Sequence, residues 1–248
     1  MRRASLRRAG LRRAGRGRVG VDGIDLRLYL VTDRGYMGTR DIADVVRQAV
    51  AGGVTVCQLR EKHCTVAELV EIGRRLRAVL APLGVPLIIN DRLDVAQVVE
   101  ADGVHLGQKD VPYADARRIL GPQAIIGLSV ETLEQARQAE DLDVDYLGVS
   151  PIYPTPTKTD IESAWGLDGL RQLREASRHT LVAIGGIKEE NAASIIEAGA
   201  DGVAVVSAVC ASPDPEEAAR RLLCEVDTAR ARRADAAGAQ DGAKGRER

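Results

Sequence analysis

From residue 26 to residue 227 the chain repeats one unit eight times: a short aliphatic run, then a stretch with helical spacing. The runs fall at 26–32, 54–59, 86–89, 103–106, 124–128, 145–149, 181–184 and 202–206. The helical patterns fill 39–51, 65–81, 92–100, 112–120, 131–140, 167–178, 188–198 and 214–227. Aliphatic runs without polar alternation describe strands buried on both faces, the condition of a parallel sheet covered by helices. Consecutive parallel strands need right-handed crossovers. Eight is the number of such units that closes on itself, so the pattern predicts an α/β fold, a single-domain (β/α)8 TIM barrel. An open doubly wound sheet would want a glycine-rich loop after an early strand, and residues 32–38 offer only Gly35 and Gly38. Local signals agree. Thr65 with Glu68 has capping-box spacing, and Gly52, Gly53, Gly121 and Gly199 close helical stretches.

Aromatic residues are only 2% of the chain and Phe is absent, so Val, Ile, Leu and Ala must fill the core. The same shortage excludes a base-stacking nucleic-acid platform, and no nucleic-acid partner is expected. No run of 18 apolar residues exists, so no membrane helix is expected. Cys57, Cys64, Cys210 and Cys224 form no C-x-x-C pair, and neither His63 nor His105 completes a zinc spacing. Free thiols in a reducing compartment, hence a cytoplasmic location, are expected. Oligomeric state is not legible.

A net charge of −1 hides a split. Residues 1–20 carry eight Arg and no acid, and residues 228–248 carry six basic and three acidic groups, which leaves −12 on 21–227. Gly, Arg and Ala with little apolar content do not pack, so residues 1–23 are expected to be a disordered Arg-rich head, as a solvated extension. A targeting segment and a nucleic-acid arm are its competing readings. The domain is expected over 24–227, with a disordered tail at 228–248.

Polar residues collect after strand ends. The second strand runs into Gln58-Leu59-Arg60-Glu61-Lys62, the third into Asn90-Asp91, the fourth into Gln108 and Asp110, the fifth into Ser129. The sixth leads to Pro154-Thr155-Pro156-Thr157-Lys158, the seventh ends in Gly185-Gly186, and the eighth in Ser207. In a barrel all these loops surround one mouth, the end that carries active sites. Extended residues two apart point the same way, so Gln58, Arg60 and Lys62 can face that mouth together. A solvated strand end would read the same way in isolation. Arg offers a planar fork for phosphate oxygens and Lys a compact charge. Asp91 and Asp110, from adjacent strand ends, suit Mg²⁺, which takes one or two carboxylates plus substrate phosphates. As simple helix caps the two aspartates would look no different. His105 sits mid-strand and is expected to be a hydrogen-bonded core residue. A rigid Thr-Pro-Thr-Lys loop fits an anion, and Gly185-Gly186 before a helix fits a phosphate.

In order, these residues resemble the thiamine-phosphate synthase family over roughly residues 26–226. The matching strings include Ile89-Asn90-Asp91-Arg92, Gly103-Val104-His105-Leu106-Gly107-Gln108, Gly127-Leu128-Ser129, Pro151-Ile152-Tyr153-Pro154-Thr155-Pro156-Thr157-Lys158 and Ile184-Gly185-Gly186-Ile187. Ser150 stands where the family usually shows Gly. The resemblance implies a transferase of thiamine biosynthesis. It would couple hydroxymethylpyrimidine diphosphate with hydroxyethyl-methylthiazole phosphate by dissociative substitution, with one Mg²⁺ per subunit. It implies that Gln58, Arg60, Lys62, Asn90, Ser129 and Lys158 contact the pyrimidine diphosphate. Of these Arg60, Lys62, Ser129 and Lys158 would be catalytic. It implies Mg²⁺ on Asp91 and Asp110, and thiazole phosphate on Thr155, Thr157, Gly186, Val206 and Ser207. Two rivals share the fold: a thiazole tautomerase-like isomerase, and a non-catalytic sensor of thiamine precursors. The complete cationic set disfavours the isomerase, which has no pyrophosphate to hold, and the two aspartates disfavour the sensor.

Overall fold

Eight strands order themselves as the alternation requires. A computed structural model describes residues 24–154 and 164–244, with side chains through residue 236. The strands are β1 Leu28–Val31, β2 Val56–Leu59, β3 Leu87–Asn90, β4 Gly103–Leu106, β5 Ile125–Val130, β6 Tyr146–Val149, β7 Leu181–Ile184 and β8 Gly202–Val205. Each pairs in parallel with its sequence neighbour, and β1 meets β8 with Leu28 opposite Val203, which closes the barrel. The helices are α1 Ile42–Ala51, α2 Val66–Leu80, α3 Leu93–Val98, α4 Tyr113–Leu120, α5 Leu133–Ala139, α6 Gly166–Ala176, α7 Glu189–Glu197, α8 Ser207–Cys210 and α9 Pro215–Lys244.

Two apolar layers hold this arrangement. Residues on the outer face of the strands, such as Leu28, Leu30, Cys57, Leu59, Leu87 and Ile89, pack against the helices. Their alternates, Tyr29, Val56, Ile88, Ile125, Tyr146 and Val182, fill the lumen. Both faces of every strand are covered, which is why the runs read as unbroken aliphatics. The Thr65–Glu68 capping box forms: the Thr65 hydroxyl accepts from the Glu68 N–H, and the Glu68 carboxylate accepts from the Thr65 N–H at 2.7 Å.

The tail corrects the sequence reading. Helix α9 does not stop at 227 but runs to Lys244, packed on α7 and α1. Ala229 is fully buried. Arg233 donates to the Ile196 and Ala200 carbonyls at 3.0 and 2.6 Å and to Asp201 Oδ1 at 2.9 Å. Those carbonyls end α7, where the helix dipole favours a cation. The arginines that look solvated in sequence therefore anchor the helix. The head, residues 1–23, lies outside the described residues.

Candidate active site

Along each strand every second residue faces the lumen. Low in the barrel these are apolar: Val56, Ile88, Ile125 and Val182. Further along the same strands stand Gln58, Asn90 and Ser129, which line a cavity of about 690 Å³ together with Arg60, Lys62, Asp91, Asp110, Gly186, Val206 and Ser207. The ends of β2, β3, β4, β5, β7 and β8 thus bring ten of the expected site residues to one mouth. Thr155, Thr157 and Lys158 lie outside the described residues.

The cations are available. Glu61, the acid between them, turns to Arg34 and accepts from its N–H at 3.2 Å and from its Nε at 3.4 Å. Among the described residues Arg60 and Lys62 form no ion pair. Lys109 and Lys188 join them around the cavity. Sequence spacing alone did not pick out Lys188, which enters because Gly185-Gly186 turns the chain back over the mouth.

The aspartates are not caps. The residue ahead of α3 is Arg92 and the one ahead of α4 is Pro112, and neither helix has a side-chain cap. Instead Asp110 Oδ2 accepts the Gly107 N–H at 2.7 Å, which folds its carboxylate over the end of β4. Asp91 sits at φ 60°, a left-handed conformation that Asp tolerates better than most residues. Its N–H donates to the His105 carbonyl at 2.9 Å, tying the turn after β3 to β4. The two carboxyls interact as like charges, and the Asp91 carboxyl is pushed up to about 7. The causes are withdrawal from water, then the closeness and like charge of Asp110, with Arg60 acting in the opposite direction. Asp91 still reaches solvent at the rim, so the like-charge pair carries more weight than burial. Such a pair is relieved by a divalent cation. Among the described residues no group of three or more His, Cys, Asp or Glu could hold a metal ion by itself. Two carboxylates completed by substrate phosphate oxygens are a donor set that Mg²⁺ accepts.

On the far side of the mouth, Gly185 and Gly186 take φ 106° and 67°. A Cβ on Gly186 would lie 2.8 Å from Tyr153 Cβ, so only glycine lets this turn pass under the β6 loop. Val206 and Ser207 follow β8 and open α8, a short helix the sequence pattern did not reveal. Loops after the seventh and eighth strands with a short extra helix form the usual phosphate site of such barrels.

Beneath the mouth lies a feature that spacing did not reveal. Gln58 is 4% exposed, and its Nε2 donates to Tyr29 Oη at 3.0 Å. Tyr29 Oη meets Tyr146 Oη at 2.8 Å, Tyr146 Oη meets His105 Nδ1 at 3.0 Å, and His105 Nε2 meets Ser129 Oγ at 2.9 Å. His105 is hydrogen-bonded, as its position predicts. Its contact with Ser129 resembles a nucleophile–base pair, but the third partner is a neutral phenol. Burial pushes the Tyr146 hydroxyl far above its usual range. A triad needs a carboxylate there to stabilise an imidazolium.

The opposite end of the barrel has its own cavity, about 440 Å³, lined by Arg27, Arg174, Arg178 and Arg230. Its arginines are engaged: Arg27 with Asp25 and Asp227, Arg174 with Asp201, Arg178 with Glu140, and Arg230 with the Asp201 carbonyl. Such pairing suits a stability role, as expected of that end.

Residues 28–209 match the sequence model of a family described as thiamine monophosphate synthase. A thiamine-phosphate synthase of Albidiferax ferrireducens is 56% identical over 202 residues, covering 82% of this chain and 92% of the relative. One from Syntrophomonas wolfei is 52% identical over 198 residues, covering 80% and 95%. A solved thiamine phosphate pyrophosphorylase from Pyrococcus furiosus superposes with a TM-score of 0.75 at 39% identity, covering 83% of this chain and 97% of that one.

Proposed function

The chain belongs to the thiamine monophosphate synthase family, and from that premise we propose how its mouth performs the reaction. The protein is a thiamine-phosphate synthase, a transferase of thiamine biosynthesis. In this proposal it joins hydroxymethylpyrimidine diphosphate to hydroxyethyl-methylthiazole phosphate and releases pyrophosphate. The observation that carries the reading is the meeting of cations and paired carboxylates at one mouth: Arg60 and Lys62 beside Asp91 and Asp110.

Arg60, Lys62 and Lys158 hold the diphosphate, where negative charge grows as the C–O bond breaks. Asn90 and Ser129 steady the same substrate, and Gln58 meets its ring from below. Asp91 and Asp110 would hold one Mg²⁺, which would neutralise charge on the leaving pyrophosphate. The pyrimidinylmethyl cation left behind is captured by the thiazole nitrogen. Thr155, Thr157, Gly186, Val206 and Ser207 fix the thiazole by its phosphate so that this nitrogen faces the reacting carbon. No nucleophile or strong base is required. Preorganised charge supplies most of the acceleration. The metal's fit rests on the carboxylate pair, and the thiazole subsite on the glycine turn and the start of α8.

The four cysteines are all free, which supports a reducing, cytoplasmic setting. No described helix is long and apolar enough to cross a membrane. Purified protein mixed with both substrates and Mg²⁺ tests the proposal. Thiamine phosphate and pyrophosphate should appear in equal amounts. Absence of thiamine phosphate would refute it, and rearrangement of the thiazole phosphate alone would favour an isomerase.

A further inference from the structure

The hydrogen-bonded row under the mouth joins two site residues that lie on different strands. Gln58 comes from β2 and Ser129 from β5, and Tyr29, Tyr146 and His105 connect them across the lumen. The sequence makes room for it. A Cβ on Gly127 would lie 2.1 Å from Tyr146 Cζ, and one on Gly148 would lie 2.7 Å from His105 Cε1. His105 stacks on Tyr146 with ring centres 5.5 Å apart, and Tyr29 meets Tyr146 edge-on at 5.7 Å. Two glycines inside strands, which cost stability by themselves, are there to admit these rings.

The row has a direction. Each phenol carries one proton, as does an imidazole in its neutral form, so each can donate only once along the row. Gln58 Nε2 donates to Tyr29. A buried phenol that left its proton unpaired would lose stability, so Tyr29 donates to Tyr146, and Tyr146 to His105 Nδ1. The imidazole proton is consequently on Nε2 and is given to Ser129 Oγ. Ser129 has its own proton left to offer to the cavity it lines, and Gln58 Oε1 is left as an acceptor. Burial keeps both phenols protonated, which preserves this count. The opposite arrangement reverses every bond. Gln58 would be flipped, His105 would carry its proton on Nδ1, and Ser129 would spend its proton on the imidazole.

We infer that His105, Tyr146 and Tyr29 are positioning residues: they lock Ser129 as a hydrogen-bond donor to the diphosphate substrate and Gln58 as an acceptor for its heterocycle. This rests on the proposed placement of the pyrimidine diphosphate against Gln58 and Ser129. A donor at Ser129 strengthens its bond as the leaving group gains charge, whereas an acceptor there would oppose departure. The role differs from general base catalysis, because His105 gives a proton to Ser129 rather than taking one.

Nitrogen-15 labelling of histidine tests the direction without any substitution. The chain has only three histidines, and His105→Gln identifies the signal. Ring nitrogen shifts should show His105 neutral, protonated at Nε2. The Nδ1-protonated form would overturn the inference irrespective of substrate. Kinetics test the role. Tyr146→Phe removes one oxygen and keeps the ring stack, so it should lower kcat/KM for the pyrimidine diphosphate about tenfold and leave the KM for thiazole phosphate unchanged. Combined with Ser129→Ala it should lose clearly less than the product of the two single losses, because the substitutions break one connected unit. Unchanged kinetics for Tyr146→Phe, or losses that simply multiply, would overturn the positioning role. If Ser129→Ala alone left pyrimidine diphosphate kinetics intact, the subsite assignment would be wrong, and the inference would fall with it.

Discussion

At the residue scale the account divides the mouth into two subsites with different kinetic signatures. In the proposed mechanism Lys62 faces charge that grows during reaction. Its loss should weaken transition-state binding by on the order of 1.5–3 kcal/mol, about tenfold to a hundredfold in kcat. Ser207, on the same proposal, faces a phosphate whose charge does not change, so Ser207→Ala should raise the thiazole phosphate KM modestly and spare kcat. Varying each substrate in turn checks both, and a Lys62→Ala effect confined to the thiazole KM contradicts the division. Asp91 adds a pH dependence. Its carboxyl is raised in the fold to about 7, so the folded chain holds a proton that the unfolded chain has lost. The resulting stability is complete below about pH 4 and disappears as pH rises through about 7. Mg²⁺ held on Asp91 as proposed would compete with that same proton. Its apparent affinity, measured by the Mg²⁺-dependent rise in Tm, should be about tenfold weaker at pH 6 than at pH 8. Equal affinities would show that Asp91 is not a ligand.

At the scale of elements, the barrel's strands were legible because both faces are buried and leave aliphatic runs. The positions just past the strand ends were legible because the mouth is the place where polar side chains collect. The row from Gln58 to Ser129 was not legible. Its key bond joins Tyr29 and Tyr146, which are 117 positions apart, and no local pattern relates them. Strand alternation places both in the lumen, and the scarcity of Tyr was the only hint. The length of α9 was hidden for a different reason. Past Ala229, Arg233 bonds to the Ile196 and Ala200 carbonyls and to Asp201, contacts that no hydrophobic periodicity announces. Arg233→Ala should therefore cost about 1–3 kcal/mol, which urea denaturation would resolve; an unchanged midpoint would mean that the helix is not anchored there. Gly127→Ala should cost about 1–3 kcal/mol through crowding against Tyr146, which is about 2–4 °C in Tm per kcal/mol for a domain of this size. A variant as stable as the parent would show that the lumen has slack.

At the scale of the molecule, the proposed reaction has an acidic body, with cations gathered at one mouth, handle two anionic substrates without nucleophilic chemistry. Residues 1–22 take no part in this account. Deleting them should leave Tm and kcat unchanged, since β1 is tied to the body through Arg27 and Asp227 at 2.8 Å and closes on β8. Precipitation of the shortened chain would show that the head belongs to the fold. The central claim is that Asp91 and Asp110 together place a divalent cation on the departing pyrophosphate. Its most direct measurement is the rate of thiamine phosphate formation as Mg²⁺ is titrated into metal-free protein, for the parent chain, Asp91→Asn and Asp110→Asn. The account predicts no turnover without metal, saturable activation of the parent, and a strong loss in both variants while their thermal transitions persist. Full activity of either variant, or turnover by the parent in the presence of EDTA, would contradict it.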